Sequence, residues 1–156
     1  MKQAWILVAA IASIGACGSE DDPTTEGTAK LSFGVTNGVR QNINLVDELD
    51  GDIYGQLFLS FEVTLTGPIE GAQPHGDVEM LGVDLTTDEV TVEVWTSGML
   101  EQDEYTFLGF FDVDGNGSDT RDPDAGDPVT LPVTNKFDVK PGEEVEITAM
   151  FDLVYN

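Results

Sequence analysis

The chain is 156 residues long and carries 30 acidic side chains against 6 basic ones, with one histidine and one cysteine, for a formal net charge of −24. That length suits one domain with short appendages, and a hydrophobic fraction of 40% is too apolar for a disordered acidic chain. Six scattered Lys and Arg cannot neutralise a row of phosphates, so DNA, RNA and basic-patch binding to anionic lipid are excluded as partners.

The acid is unevenly placed. Residues 1–16 hold one base, Lys2, and no acid, so all 30 acids fall from Cys17 onward. Met1-Lys2-Gln3 is a short positive segment, and Ala4 to Ile14 is an apolar run. The run is too short for a hydrocarbon core of ~30 Å, which takes about 20 apolar residues, but it fits the apolar stretch of an export signal. It closes on Ile14-Gly15-Ala16-Cys17, which resembles the bacterial lipoprotein signal motif: an aliphatic residue, two small residues and a cysteine. The resemblance implies a diacylglyceryl group on Cys17, cleavage before it and acylation of the new amine. Several acyl chains then anchor the protein, since each buried CH₂ contributes ~0.8 kcal/mol and one chain holds only marginally. Gly18 stands where enteric lipoproteins retained at the inner membrane carry Asp, so an outer-membrane address is implied where the host has one. An ordinary secretory signal with a coincidental cysteine, or an uncleaved N-terminal helix, is the alternative.

Gly18 to Thr28 has no aliphatic or aromatic residue and reads as a flexible spacer. The expected organisation is a signal over 1–16, a lipidated Cys17 with an acidic tether over 17–28, and a folded domain over 29–156.

In that domain the dominant pattern has period 2. The shorter candidates are Leu31–Val35, Val78–Val83, Val129–Val133 and Lys136–Val139. Longer stripes are Leu57, Leu59, Phe61, Val63 and Leu65; Val90, Val92 and Val94; Tyr105, Phe107, Gly109 and Phe111; and Val145, Ile147, Ala149, Phe151 and Leu153. Alternation rich in Val, Phe and Thr predicts half-buried antiparallel strands. Asn37-Gly38, Asp50-Gly51, Thr66-Gly67-Pro68, Gly71, Ser97-Gly98 and Pro141-Gly142 supply turns. No stretch of the domain sustains a helical period beyond two turns. The prediction is an all-β fold, a single antiparallel β-sandwich of about seven or eight strands. Leu100 to Phe107 resembles the tyrosine corner of such domains, in which the phenol at Tyr105 bonds back to upstream backbone; the bland alternative is a strand opening with its hydroxyl in water.

The strand ending at Phe111 runs into Asp112-Val113-Asp114-Gly115-Asn116-Gly117-Ser118. Asp, Asp and Asn at positions 1, 3 and 5 with Gly at 6 reproduce the first half of an EF-hand loop, whose alternate oxygens converge on one Ca²⁺ at about 2.4 Å. The Ser118 carbonyl would fit position 7, but Pro123 stands where an EF-hand has its bidentate Glu, and a strand rather than a helix leads in. The run Tyr105 to Pro128, with its trailing Asp124-Ala125-Gly126-Asp127-Pro128, resembles a loop of bacterial exported β-sandwiches of transthyretin-like (prealbumin-like) and immunoglobulin-like kinds. The resemblance extends over the last third of the chain and implies fold, with binding, adhesion or accessory roles. The candidate ligands for Ca²⁺ are Asp112, Asp114, Asn116, Ser118, Asp119, Asp122, Asp124 and Asp127, because crowded carboxylates repel without a cation. A solvated acidic loop is the alternative.

Other candidates are weaker. His75 has no Cys or second His near it to make a zinc site. Asp47, Glu48, Asp50 and Asp52 form a second acidic stretch that reads as a solvated turn. Trp95 lies opposite Val92 and Val94, either exposed for carbohydrate stacking or covered by a second sheet. No catalytic residues are assigned. The expected function is a lipid-anchored envelope module, stabilised by Ca²⁺, with a protein or carbohydrate ligand. The alternatives are a calcium-assisted carbohydrate-active enzyme and a self-assembling envelope subunit.

Overall fold

The computed structural model describes residues 24–42 and 49–156. The signal motif Ile14, Gly15, Ala16 and Cys17 lies outside the described residues, as do Asp47 and Glu48. No described helix is long and apolar enough to cross a membrane.

The all-β expectation holds. Strands β1 (Glu26–Val35), β2 (Asp50–Leu59), β3 (Val63–Thr64), β4 (Gly67–Pro68), β5 (Gly76–Asp84), β6 (Trp95–Thr96), β7 (Leu100–Glu101), β8 (Glu104–Asp112), β9 (Pro128–Thr130), β10 (Lys136–Asp138) and β11 (Glu144–Val154) account for most of the domain. All but the β3–β4 hairpin belong to one curled sheet of order β5-β2-β8-β9-β11-β1-β6, with β10 on β8 and β7 on β1. The three residues of β9 pair with both β8 and β11, so they join the two halves that fold face to face. The curl brings Phe33 of β1 to 5.3 Å from Phe107 of β8, and Phe111 to 6.0 Å from Phe151 of β11. Ala29, Leu31, Ile53, Leu57 and Val78 complete this core.

The sheet is mixed rather than wholly antiparallel. β1 and β11 run parallel from Thr28↔Glu144 to Val35↔Phe151. β1 begins at Glu26, so the last residues of the stretch read as a tether are already paired with β7 and β11. Asp50-Gly51 is the start of β2 instead of a turn, which puts Asp50 and Asp52 in the sheet. A short helix, α1 (Asn37–Asn42), replaces the expected turn at Asn37-Gly38.

Three apolar stripes depart from expectation. After Leu59 the chain leaves the sheet through a 3₁₀ turn, Ser60–Glu62, pinned by the buried Ser60 Oγ–Thr106 Oγ1 hydrogen bond of 2.7 Å. Phe61 and Leu65 are therefore exposed. In β11 a bulge between Phe151 and Leu153 reverses the alternation, so Leu153 faces out and Val154 packs on the core in its place. Val90, Val92 and Val94 are also exposed, and Thr91 is the buried member of that segment. The Phe33 amide donates to Thr91 Oγ1 at 3.0 Å while the Thr91 amide donates to the Phe33 carbonyl at 2.8 Å.

That exchange recurs. Ser97 Oγ accepts from the Ala29 amide, Thr130 Oγ1 from Gly109, and Asn135 both accepts from and donates to the backbone of Met150. Short or irregular segments thus satisfy the long strands with side chains where ladder bonds stop, which lets these polar groups be buried without loss. The tyrosine corner is present: Tyr105 is buried and its hydroxyl donates to the Glu101 carbonyl at 3.0 Å. Trp95 packs against the core, the covered alternative.

Candidate metal centre

The Phe110↔Val129 pair fixes the acidic loop. Asp112 ends β8 two residues past Phe110, and Asp127 stands just ahead of β9 two residues before Val129, so this pairing brings the two acids together at the loop base. Like charges directly opposite in a sheet destabilise, yet both residues are buried.

Backbone amides hold them. Asp112 Oδ1 accepts from the Gly115 and Asn116 amides at 2.9 and 3.2 Å, and Oδ2 accepts from Gly117 at 2.9 Å. Asp127 Oδ1 accepts from Val113 at 3.2 Å and Oδ2 from Asp124 at 3.0 Å. Burial pushes the Asp127 carboxyl above the usual carboxylate range; the two amide bonds oppose this, and the charges of Asp112 and Asp124 reinforce it. Gly115, not the position-6 Gly117, takes the left-handed turn, with φ +77°. Gly117 is required for space, because a Cβ there would lie 2.8 Å from the Phe110 ring.

Asp112, Asp114 and Asp127 each offer a carboxylate oxygen within 4.8 Å of the other two. Oxygen ligands at about 2.4 Å from one ion lie within about twice that distance of each other, so this trio is close enough to share a hard cation. Asn116 and Asp124 adjoin it: Asn116 Nδ2 donates to Asp114 Oδ2 at 2.9 Å and to Asp124 Oδ2 at 2.7 Å. A neutral amide donor thereby bridges two carboxylates that repel each other. Ser118, Asp119 and Asp122 are exposed and stand outside the trio. His75 lies edge-on to Tyr105 at 5.7 Å and joins no metal-type cluster among the described residues.

Arg121 carries a role that sequence reading missed. From the same loop it reaches the outer face of the sheet, where its Nη2 pairs with Glu79 Oε2 at 2.9 Å and its guanidinium lies 4.3 Å from the Tyr54 ring centroid. Nothing local signals this contact, since its partners are on β2 and β5.

No family model, curated protein or solved structure compared with the chain matches it.

Proposed function

We propose that this chain is a lipid-anchored envelope module whose β-sandwich is stabilised by Ca²⁺ and whose role is binding or accessory rather than catalytic. The convergence of Asp112, Asp114 and Asp127 carries the calcium part of the reading. Bound there, the ion would neutralise the opposed acids and clamp the β8–β9 connection. The lipoprotein-type motif ending at Cys17 supports the anchor. The non-enzymatic reading is favoured over a carbohydrate-active enzyme by the placement of the carboxylates. The buried pair Asp112 and Asp127 is engaged by backbone amides, whereas the acids lining a groove over the outer face of β2 and β8, Asp77, Glu79 and Asp122, are exposed. A general acid needs a carboxyl in the cleft whose proton affinity is raised by its surroundings.

Melting the soluble domain with Ca²⁺ and with chelator tests the calcium reading. At free Ca²⁺ about 100 times the dissociation constant, stability is expected to rise by about 2.7 kcal/mol. Asp114→Ala, at an exposed position, is expected to abolish that gain while changing the melting point in chelator little. Equal melting curves for the parent protein in both buffers would refute the proposal. The anchor has a separate test. Expressed with its own N-terminus in a bacterium, the chain is expected to partition into detergent, and Cys17→Ala into the aqueous phase. Detergent partitioning by the alanine variant would remove the lipid anchor from the reading.

A further inference from the structure

The face of β2 and β8 that points away from the main core is the floor of a groove of about 860 Å³. Tyr54, Phe58 and Phe110 form its aromatic base, with the Tyr54 and Phe110 rings 5.6 Å apart. The β3–β4 hairpin supplies one wall, and Arg121, Asp122 and Pro123 of the acidic loop supply another. Leu65, Leu153 and Tyr155 on its lining are exposed apolar side chains, at 80%, 50% and 47%. Asp77 and Glu79 enter from β5, the terminal strand of the sheet, whose second edge pairs with no strand among the described residues.

Arg121 reaches into this groove under unusual terms. Its guanidinium is held between the Tyr54 ring and the Glu79 carboxylate, yet both members of the ion pair are about half exposed. Arg121 is also the single described non-glycine residue with positive φ, at 58°, a conformation that crowds a Cβ against the following carbonyl. With both partners half in solvent, the contact is screened and readily exchanged. An aromatic face beside a carboxylate is the arrangement that recognises a guanidinium from any source.

We infer that Tyr54 and Glu79 form a cation subsite in a groove that receives an extended peptide of a partner protein, bearing Arg between apolar side chains, and that Arg121 is the resident occupant it displaces. Charge decides the class of partner. The groove lining holds Asp77, Glu79 and Asp122 against Arg121 as its one base, on a chain of net charge −24. A second copy brings the same excess of acid and is repelled, whereas a basic segment is attracted and oriented. The apolar lining of the groove, with Phe58, Leu65 and Leu153, takes the apolar side chains that flank the peptide's Arg.

The test uses a labelled peptide alternating leucine and arginine, its leucine–glutamate counterpart, and fluorescence anisotropy. Arg121→Gly removes the occupant while suiting the positive φ, so it preserves the fold; it is expected to bind the arginine peptide about three- to tenfold more tightly than the parent chain. Glu79→Gln, at an exposed position, is expected to bind it several-fold more weakly, and added salt to weaken all binding. The glutamate peptide is expected not to bind. The inference is overturned if Arg121→Gly leaves affinity unchanged or lowers it, if Glu79→Gln binds as the parent does, or if both peptides bind equally. Self-association of Arg121→Gly in light scattering, in place of peptide binding, would overturn it in favour of a second copy.

Discussion

Gly55→Ala and Gly109→Ala are each expected to destabilise the domain by about 3 kcal/mol, the upper end for an overpacked core, and to lower the melting point by about 10 °C. The two glycines face each other across β2 and β8 with their missing side chains directed at the core. A Cβ on Gly55 would lie 2.5 Å from both the Leu108 carbonyl oxygen and the Phe107 ring, and one on Gly109 would lie 2.5 Å from the Phe107 ring and the Tyr54 carbonyl oxygen. In an open strand, alanine for glycine gains stability by restricting the unfolded chain. Here that gain is overridden, because the ladder fixes the carbonyl oxygens and Phe107 is wedged against Phe33. Phe107→Leu in the Gly109→Ala background relieves the ring contact but not the carbonyl contact, so the pair is expected to be less than additive. Urea unfolding measures all three variants. Alanine variants as stable as the parent would show that the space over this glycine pair is not needed by the ring.

Asp112→Ala is expected to cost about 3 kcal/mol even in excess chelator, since hydrogen bonds to a charged acceptor contribute ~1.5–3 kcal/mol each. Its carboxylate is fully buried and accepts three backbone amides in succession, from Gly115, Asn116 and Gly117. Truncation leaves the Gly117 amide buried without that acceptor, and no water reaches it cheaply. Asp112→Asn keeps one acceptor oxygen but turns an NH₂ towards a donor, so its loss is expected to be intermediate. In Ca²⁺ the gap from the parent is expected to widen, because only the parent gains the ion. This separates the two proposed duties: buried Asp112 organises the loop through three amides, whereas exposed Asp114, bonded only to Asn116, is expected to matter mainly for the ion. Asp112→Ala melting with the parent in chelator would mean that the amide cradle does not hold the loop.

Much of the fold could be read along the chain, where a pattern reports a local constraint. The stripe at Tyr105, Phe107, Gly109 and Phe111 is inward-facing throughout, and the corner at Tyr105 is a local contact that brings its phenol back four residues to Glu101. The valine stripe at Val90, Val92 and Val94 was misleading for a physical reason. Alternation reports that two faces differ, not which of them a neighbour will cover, and here the edge of β1 needed the hydroxyl of Thr91. Leu153 failed through a bulge and Phe61 through a 3₁₀ turn, both of which shift the phase of a period-2 pattern after a correct start.

The acidic site divides along the same line. Composition and the spacing of Asp112, Asp114 and Asn116 marked the loop. Among the trailing acids, only the register of β8 with β9 selects Asp127, because a cross-strand neighbour is set by pairing and not by separation along the chain. Asp119 and Asp122, nearer in sequence, are turned to solvent. The groove, with Arg121 between Tyr54 and Glu79, draws on three segments far apart in the chain, and no local spacing encodes it. The sequence by itself determined a β-rich acidic domain with one carboxylate-dense loop, because strand periodicity and charge are local and additive. Which acids converge, and which side chains line the groove, was decided by the curl and register of the sheet.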